Sequence, residues 1–379
     1  MQKQKFVVRC LLSLFITLVT MPVSAINAQK NDEKSGSKKY LIVDVVGGFG
    51  NRIRALASAY VAAKYTNREL VVSWRPSDWS KRKEAGLSDL FANQFVEWSH
   101  VKSELPVSLE TLRDPDRIHD RSHPERGKTN PKDVYRYYVQ DRPWLYTNKD
   151  EIPFLDKREE KILYLDRIWF NFKLESMNFK EFKKHYRDFY AMLQPSEDIR
   201  TAIDFFKKKN PIGASDHLIG VHIRTWSKNV GDNFSGSTSL EPFFEKMDME
   251  IAQNKKKNVR FLIATDNPKV MPSFIQRYGK DKIIKPDLKE SPNRKTLQGN
   301  IDALVDWWCL TETRYIIGTF QSSFSDEASH LTKEKRKIEV GDLDFGFQIR
   351  LYFDQDGHFS YRTRRDKKTF DQFAPAPTS

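Results

Sequence analysis

Short apolar runs rich in β-branched residues alternate along the chain with stretches whose apolar positions recur every three to four residues. Residues 40–46 (YLIVDVV) form the first such run, which breaks at once on Gly47-Gly48-Phe49-Gly50-Asn51-Arg52, the composition of a tight turn. Ile53, Leu56, Ala57, Tyr60 and Val61 then fall at i, i+3, i+4, i+7 and i+8, one face of a helix, and residues 70–74 return to strand character. Strand, glycine turn, helix and strand predict a βαβ unit with a right-handed crossover. Residues 75–160 lose the periodicity, are broken at Arg113-Asp114-Pro115 and Asn130-Pro131, and read as a long insertion. A strand at 162–165 and helices at 179–192 and 196–208 then close a first domain, 40–212, with Asn210-Pro211-Ile212-Gly213 as its boundary.

The second domain, 213–379, repeats the alternation. Strands are predicted at 218–224, 260–265, 283–284 and 315–318, with helices at 240–253, 269–278 and 301–313 between them. The chain after Asp342 has strand character. Alternating strands and helices predict an α/β fold of two Rossmann-like domains with parallel sheets, in which ligands bind beyond the carboxyl ends of the strands.

The amino terminus changes the picture of location. Lys3, Lys5 and Arg9 precede a charge-free stretch, 10–28, whose apolar centre and small-residue sites after Ala25 and Ala28 read as a secretory signal peptide (1–28) or a membrane anchor at 10–28. Residues 29–39 form a polar linker. Of the two cysteines, Cys10 lies in the signal, so Cys309 has no intrachain partner in a mature chain. Asn233-Phe234-Ser235 is a glycosylation acceptor triplet, in keeping with an ER or Golgi lumen. The net charge of +13 owes much to residues 1–39, which hold seven basic residues against two acids. The lysine runs 207–209 and 255–257 sit where helices end and lack interleaved aromatics, so no nucleic-acid partner is predicted.

Four segments could carry chemistry. Glycines between strand and helix at 47–52 let backbone approach a ligand closely, or simply make a turn. His222 and Arg224 alternate onto one side at a strand end; Arg grips a diphosphate and His bonds a base or phosphate, the plain reading being a satisfied histidine beside a surface arginine. Asp302 and Asp306 share a helix face, and a carboxylate suits the N1 and N2 donors of guanine; the plain reading is an acidic first helical turn. Residues 318–325 (GTFQSSFS) put hydroxyls ahead of a helix beginning near Asp326, suiting phosphate oxygens or ordinary capping.

In their order, GGFGNR (47–52), GVHIR (220–224), ATDNP (264–268), IDALVD (301–306) and GTFQSSFS (318–325) resemble the motifs of the GDP-fucose-dependent fucosyltransferase superfamily, which includes NodZ-like and other α1,6-fucosyltransferases and the protein O-fucosyltransferases. Residues 56–59 and 73–75 make the NodZ-like branch the nearest. The resemblance covers about 40–74 and 218–330. It implies a GT-B architecture with two Rossmann-like domains facing across a cleft, and inverting transfer of fucose from GDP-β-L-fucose with neither metal nor cofactor. The acceptor it implies is a GlcNAc-type glycan; a protein hydroxyl, or a non-catalytic sugar-nucleotide-binding role, are the alternatives. By position, His222 and Asp306 would hold guanine, Arg224 the β-phosphate, and Ser322 and Ser323 the phosphates beside Phe324. Phe49 would lie along the ribose with Gly48, Gly50, Asn51 and Arg52 around it, and Asp266 would support the site. Lys228 and the candidate base Asp232 match the downstream pattern with a one-residue shift, and Thr225 stands where α1,6 enzymes carry a second basic residue. Metal dependence would instead draw on Asp114-Pro115-Asp116, Asp342-Leu343-Asp344 or Asp354-Gln355-Asp356.

Overall fold

A computed structural model describes residues 38–74, 85–105, 108, 111–112, 133–138, 151–152, 155–213, 215–225, 239–293, 296–319, 322–340, 348–353 and 359–364. The signal, most of the linker and the chain beyond Arg364 lie outside the described residues. Among the described residues, no helix is long and apolar enough to cross a membrane.

The first sheet is built on β1 (Tyr40–Val45), which is buried throughout because both its faces are covered. Leu41, Val43 and Val45 join the main core, and Tyr40 and Ile42 a smaller cluster on the other face. The helix α1 (Phe49–Tyr65) begins four residues before the expected Ile53. Gly47, at φ +90°, makes the sharp turn that only glycine takes readily, and extended Gly48 is the N-cap. Strand β2 (Glu69–Trp74) pairs parallel with β1.

Residues 75–160 are more than an insertion. Two single-turn helices, α2 (Leu87–Leu90) and α3 (Trp98–Val101), pack there, and β3 (Val134–Tyr138) adds an edge strand to the sheet. The strand went unseen because a five-residue run flanked by charged residues shows no helix or strand period. After β4 (Glu151–Ile152) comes β5 (Ile162–Ile168), which pairs between β1 and β3, so the sheet order is β2-β1-β5-β3, all parallel. The β1–β5 register slips between Val43 and Val45, where Arg167 takes φ +54°. Strand β6 (Lys173–Leu174) pairs with β4, and α4 (Phe179–Met192) and α5 (Glu197–Lys209) follow as expected. Helix α5 packs against a helix of the second half, while Ser196 at its start bonds the carbonyls of Asp89 and Leu90 in the first.

The second sheet contains β7 (Asp216–Ile223), β8 (Asn258–Thr265), β9 (Ile283–Ile284), β10 (Ile316–Thr319) and β11 (Lys337–Val340) in the parallel order β11-β10-β7-β8-β9. Its helices are α6 (Glu241–Gln253), α7 (Met271–Tyr278), α8 (Leu297–Thr311) and the seven-residue α9 (Ser323–Ser329). The chain runs β7, β8, β9 outward in one direction and returns to place β10 on the other side of β7. The switch point of this sheet therefore lies between the carboxyl ends of β7 and β10, where a crevice opens in doubly wound folds. A hairpin of β12 (Gln348–Phe353) and β13 (Phe359–Arg364) accounts for the strand character after Asp342.

Candidate functional site

Several of the residues singled out in the second half, Arg224, His222, Asp266, Ser322 and Phe324 among them, gather at this switch point. Arg224 follows β7 directly. Its backbone N–H donates to Thr319 Oγ1 at 2.8 Å, tying the ends of β7 and β10, and its guanidinium donates to Asp266 Oδ2 at 2.5 Å. The other oxygen of Asp266 accepts from the Thr225 N–H at 3.1 Å and its hydroxyl at 3.2 Å. Asp266 thus holds the guanidinium in place, and Thr225 is spent on orienting Asp266.

His222 points under α9. Its Nδ1 lies 3.2 Å from Ser325 Oγ and its ring stacks on Phe324, 4.9 Å between centroids. Burial first, then the positive charges of Lys337 and Arg224, hold its pKa well below the usual imidazole range, so the ring is neutral. Helix α9 begins at Ser323, three residues before the expected Asp326. Ser322 stands at its N-cap without a side-chain capping bond, so the plain capping role does not account for that hydroxyl. The Ser322 carbonyl accepts from Lys337 Nζ at 3.3 Å, and that ammonium also meets Asp326 at 2.5 Å.

The glycine motif meets the same helix from the other half. A Cβ on Gly50 would stand 2.4 Å from the Ser323 carbonyl carbon and 2.6 Å from the Phe324 nitrogen. The close approach predicted for this motif is therefore to the backbone of α9, glycine being the residue that lets α1 abut it. Phe49, expected along a ribose, packs its ring in an aromatic cluster with Trp307, Phe324 and Phe91 at 5.4–6.2 Å. Arg52 is buried with its guanidinium over the Trp74 ring, and half-buried Asn51 flanks Gly47.

Asp306 occupies a neighbouring space. It lines a cavity of about 270 Å³ with Ile263 and Thr265 of β8, Lys285, Leu288 and Glu290. His222 is not among the residues lining that cavity; its ring sits against Phe324 and Ser325 under α9, and its strand neighbour Ala264 precedes Thr265, whose N–H bonds Asp306. Asp306 is 4% exposed, and burial followed by the charge of Asp302 pushes its pKa well above the carboxylate range, against the opposing pull of Lys285 and the Thr265 N–H. Helix α8 begins at Leu297, capped by Thr296, so neither acid sits in its first turn. Asp302 is taken up by the cavity wall: it accepts from the Glu290 N–H at 2.5 Å and from Gln298 Nε2 at 2.8 Å. Asp306 alone of the two lines the cavity.

Lys228, Asp232, the glycosylation triplet and the three Asp-x-Asp triplets lie outside the described residues. Among the described residues, no group of three or more His, Cys, Asp or Glu stands ready to hold a metal. Sequence reasoning missed Arg54 and Glu327, whose buried ion pair joins the two halves, and Lys337 beneath Ser322. The signal was present for Arg54, the last charge before the apolar run 55–63 of α1, but its partner is 273 positions away.

No protein-family profile matches the chain. It is 22% identical over 322 residues to an Arabidopsis thaliana protein named "Probable fucosyltransferase 7", covering 74% of this chain and 58% of that protein's length. Among solved structures, a NodZ alpha-1,6-fucosyltransferase co-crystallized with GDP is similar at a TM-score of 0.50 and 16% identity, over 80% of this chain and 96% of that one. POFUT1 in complex with GDP follows at a TM-score of 0.47 and 12% identity, over 80% of this chain and 99% of that one. The chain is thus similar in sequence to a fucosyltransferase and has the mixed α/β, parallel-sheet, GT-B-like fold of NodZ, the likeness its motifs predicted being to the GDP-fucose-dependent fucosyltransferase superfamily.

Proposed function

We propose that the protein is an inverting, metal-independent fucosyltransferase that takes its sugar from GDP-β-L-fucose and gives it to a hydroxyl of a GlcNAc-type glycan. The observation that carries this reading is the juxtaposition of Arg224 and Asp306. A guanidinium held by Asp266 follows β7, and a buried carboxylate lines a cavity whose wall includes Thr265, the residue preceding Asp266. A diphosphate needs the first, and the N–H edge of guanine needs the second.

In this reading the acceptor oxygen attacks the anomeric carbon as the bond to the β-phosphate oxygen breaks. GDP leaves with the electron pair, and the acceptor proton passes to a carboxylate, for which Asp232 is the candidate. Arg224 and the hydroxyls of Ser322 and Ser323 stabilise the charge that grows on the leaving diphosphate, where preorganised donors act most strongly. Asp266, already bonded to Thr225, keeps the guanidinium from reorienting during the step.

The test is a thermal-shift panel of GDP, GDP-fucose, GDP-mannose and UDP sugars, followed by turnover of the responding donor with excess EDTA. A ligand that binds the native state raises its melting temperature. GDP and GDP-fucose should do so while UDP sugars do not. Arg224→Ala should stay folded and lose on the order of 10² to 10³ in rate; retention of more than about a tenth of the activity would remove Arg224 from this role. Turnover abolished by EDTA would overturn the metal-independent part.

A further inference from the structure

A set of charges shared between the two halves lies behind Ser322 and Ser323. Glu327, 3% exposed on α9, meets Arg54 Nε of α1 at 2.9 Å. Its other oxygen accepts from Tyr190 Oη at 2.6 Å and Tyr186 Oη at 3.0 Å, both on α4. His330 stacks on the Tyr190 ring, 5.1 Å between centroids, and closes the set. Asp326, next in the chain, bridges the halves a second time, with Arg54 Nη2 at 3.1 Å on one oxygen and Lys337 Nζ at 2.5 Å on the other.

As a source of stability alone, this arrangement is weak. Two ions and two phenols have been taken out of water, and well-packed apolar residues of similar volume would hold two helices together at least as well. What directional bonds to a single carboxylate add is a fixed orientation. Arg54 is one turn beyond Gly50 on α1, and Glu327 one turn beyond Ser323 on α9, so the clamp grips the two helices next to the point where their backbones touch. Burial works against the charge of Arg54, but Glu327 and Asp326 outweigh it and raise its pKa; burial and then Glu327 raise those of both tyrosines. The guanidinium stays charged and the phenols stay donors at any pH the fold survives.

We infer that Arg54 and Glu327, with Tyr186 and Tyr190, are positioning residues for the donor diphosphate: by locking α9 to α1 and α4 they fix Ser322 and Ser323 beside the strand ends that carry Arg224. The inference rests on the donor reading above. It predicts a phosphate-specific defect, because the cavity lined by Asp306 is walled by β8, Pro268, Met271 and residues between Lys285 and Pro292, none of them a member of the clamp.

The experiment is calorimetric titration of the full chain with GDP and with guanosine, at a temperature where circular dichroism finds each variant folded. Tyr190→Phe keeps the ring and its stacking but removes one donor; Glu327→Gln removes the charge. GDP affinity should fall about 10-fold in Glu327→Gln and about 3-fold in Tyr190→Phe, with guanosine affinity unchanged in both. Wild-type GDP affinity in the folded variants overturns the inference, and so do equal losses for GDP and guanosine, which would mark a general loosening. Should Glu327→Gln not fold, Tyr190→Phe decides alone. A wild-type chain that binds neither ligand removes the donor reading itself, and the inference with it, which separates the two failures.

Discussion

Two neighbouring regions of the second half solve opposite problems. The seam around α9 is crowded: backbone touches backbone at Gly50, and the charges of Arg54, buried Glu327 and partly exposed Asp326 are matched across the halves. The cavity beside α8 is open, and its buried carboxylate, Asp306, has another acid one turn away rather than a cation in contact. The first arrangement fixes positions whether or not a ligand is present. The second holds its carboxylate by the Thr265 N–H, on the wall of a space large enough for further donors. For the proposed donor site, the contrast separates the part that must be rigid from the part that must discriminate.

The largest effect that would break this contrast comes from a single methyl group. Gly50→Ala drives a Cβ to within 2.6 Å of the Ser323 and Phe324 backbone, which has nowhere to go while Arg54 and Glu327 hold α9. The cost should be about 3 kcal/mol, the upper end for overpacking, read from urea denaturation. The same change at Gly299 also meets an atom at 2.2 Å, but that atom is the amide of Asn293, a side chain that swings aside. Its losses are the amide's bonds to Glu290 at 2.8 Å and to the Ser291 carbonyl at 2.9 Å and the bond it accepts from the Thr296 N–H at 3.2 Å, partly offset by the better helix propensity of alanine and partly re-formed with water, so about 1 kcal/mol is expected. Equal costs at the two glycines would mean that the seam is no stiffer than the cavity wall.

Next in size is Asp302→Ala. It leaves the Glu290 N–H without its acceptor and removes one tie of the 285–293 wall to α8, the bonds between Asn293 and Gly299 and Asn300 remaining, a change worth roughly 1–3 kcal/mol. Here guanosine and GDP affinities should fall together, unlike the phosphate-only loss expected of the clamp. A GDP loss with guanosine spared would place Asp302 on the wrong side of the comparison.

How far the sequence alone reached follows the same division. The βαβ opening, the alternation from β7 to β10 and the position of Arg224 at a strand end were legible because each rests on local periodicity and turn chemistry. The roles of neighbours were not. Asp302 and Asp306 look alike at i and i+4, and only the fold of 285–293 onto α8 makes one a wall support and the other a cavity-lining carboxylate. Gly50 reads as ligand-facing until α9 is seen against it. Strands β3 and β11 were missed because four or five residues beside charged flanks carry no period, and pairing in the sheet decided them. Glu327 was invisible for a different reason: its partners come from α1 and α4, 137 to 273 residues earlier, and no local pattern encodes such a contact.

The smallest effect tests the electrostatics of the cavity. Burial and the Asp302 charge raise the pKa of Asp306, so below that value the unliganded protein holds a proton there. In the proposed site guanine's N1 and N2 donors need the ionised form, so binding would release the proton, and GDP affinity should rise with pH until the Asp306 value is passed and then level off. The stability of the unliganded chain runs the other way. The folded state binds this proton more tightly than the unfolded one, so this contribution is fully present at low pH and lost as pH climbs through the raised value. Asp302→Asn keeps a carbonyl oxygen for the Glu290 N–H while removing the charge. Lys285, Lys289 and Glu290, the other charged residues lining the cavity, stay as they are. The break in GDP affinity should therefore move to lower pH, with a change of less than about 3-fold above the break. Titrations in two buffers of different ionisation enthalpy count the proton directly. A break at the same pH in Asp302→Asn and wild type would show that the two acids do not feel each other, and that burial alone keeps Asp306 protonated.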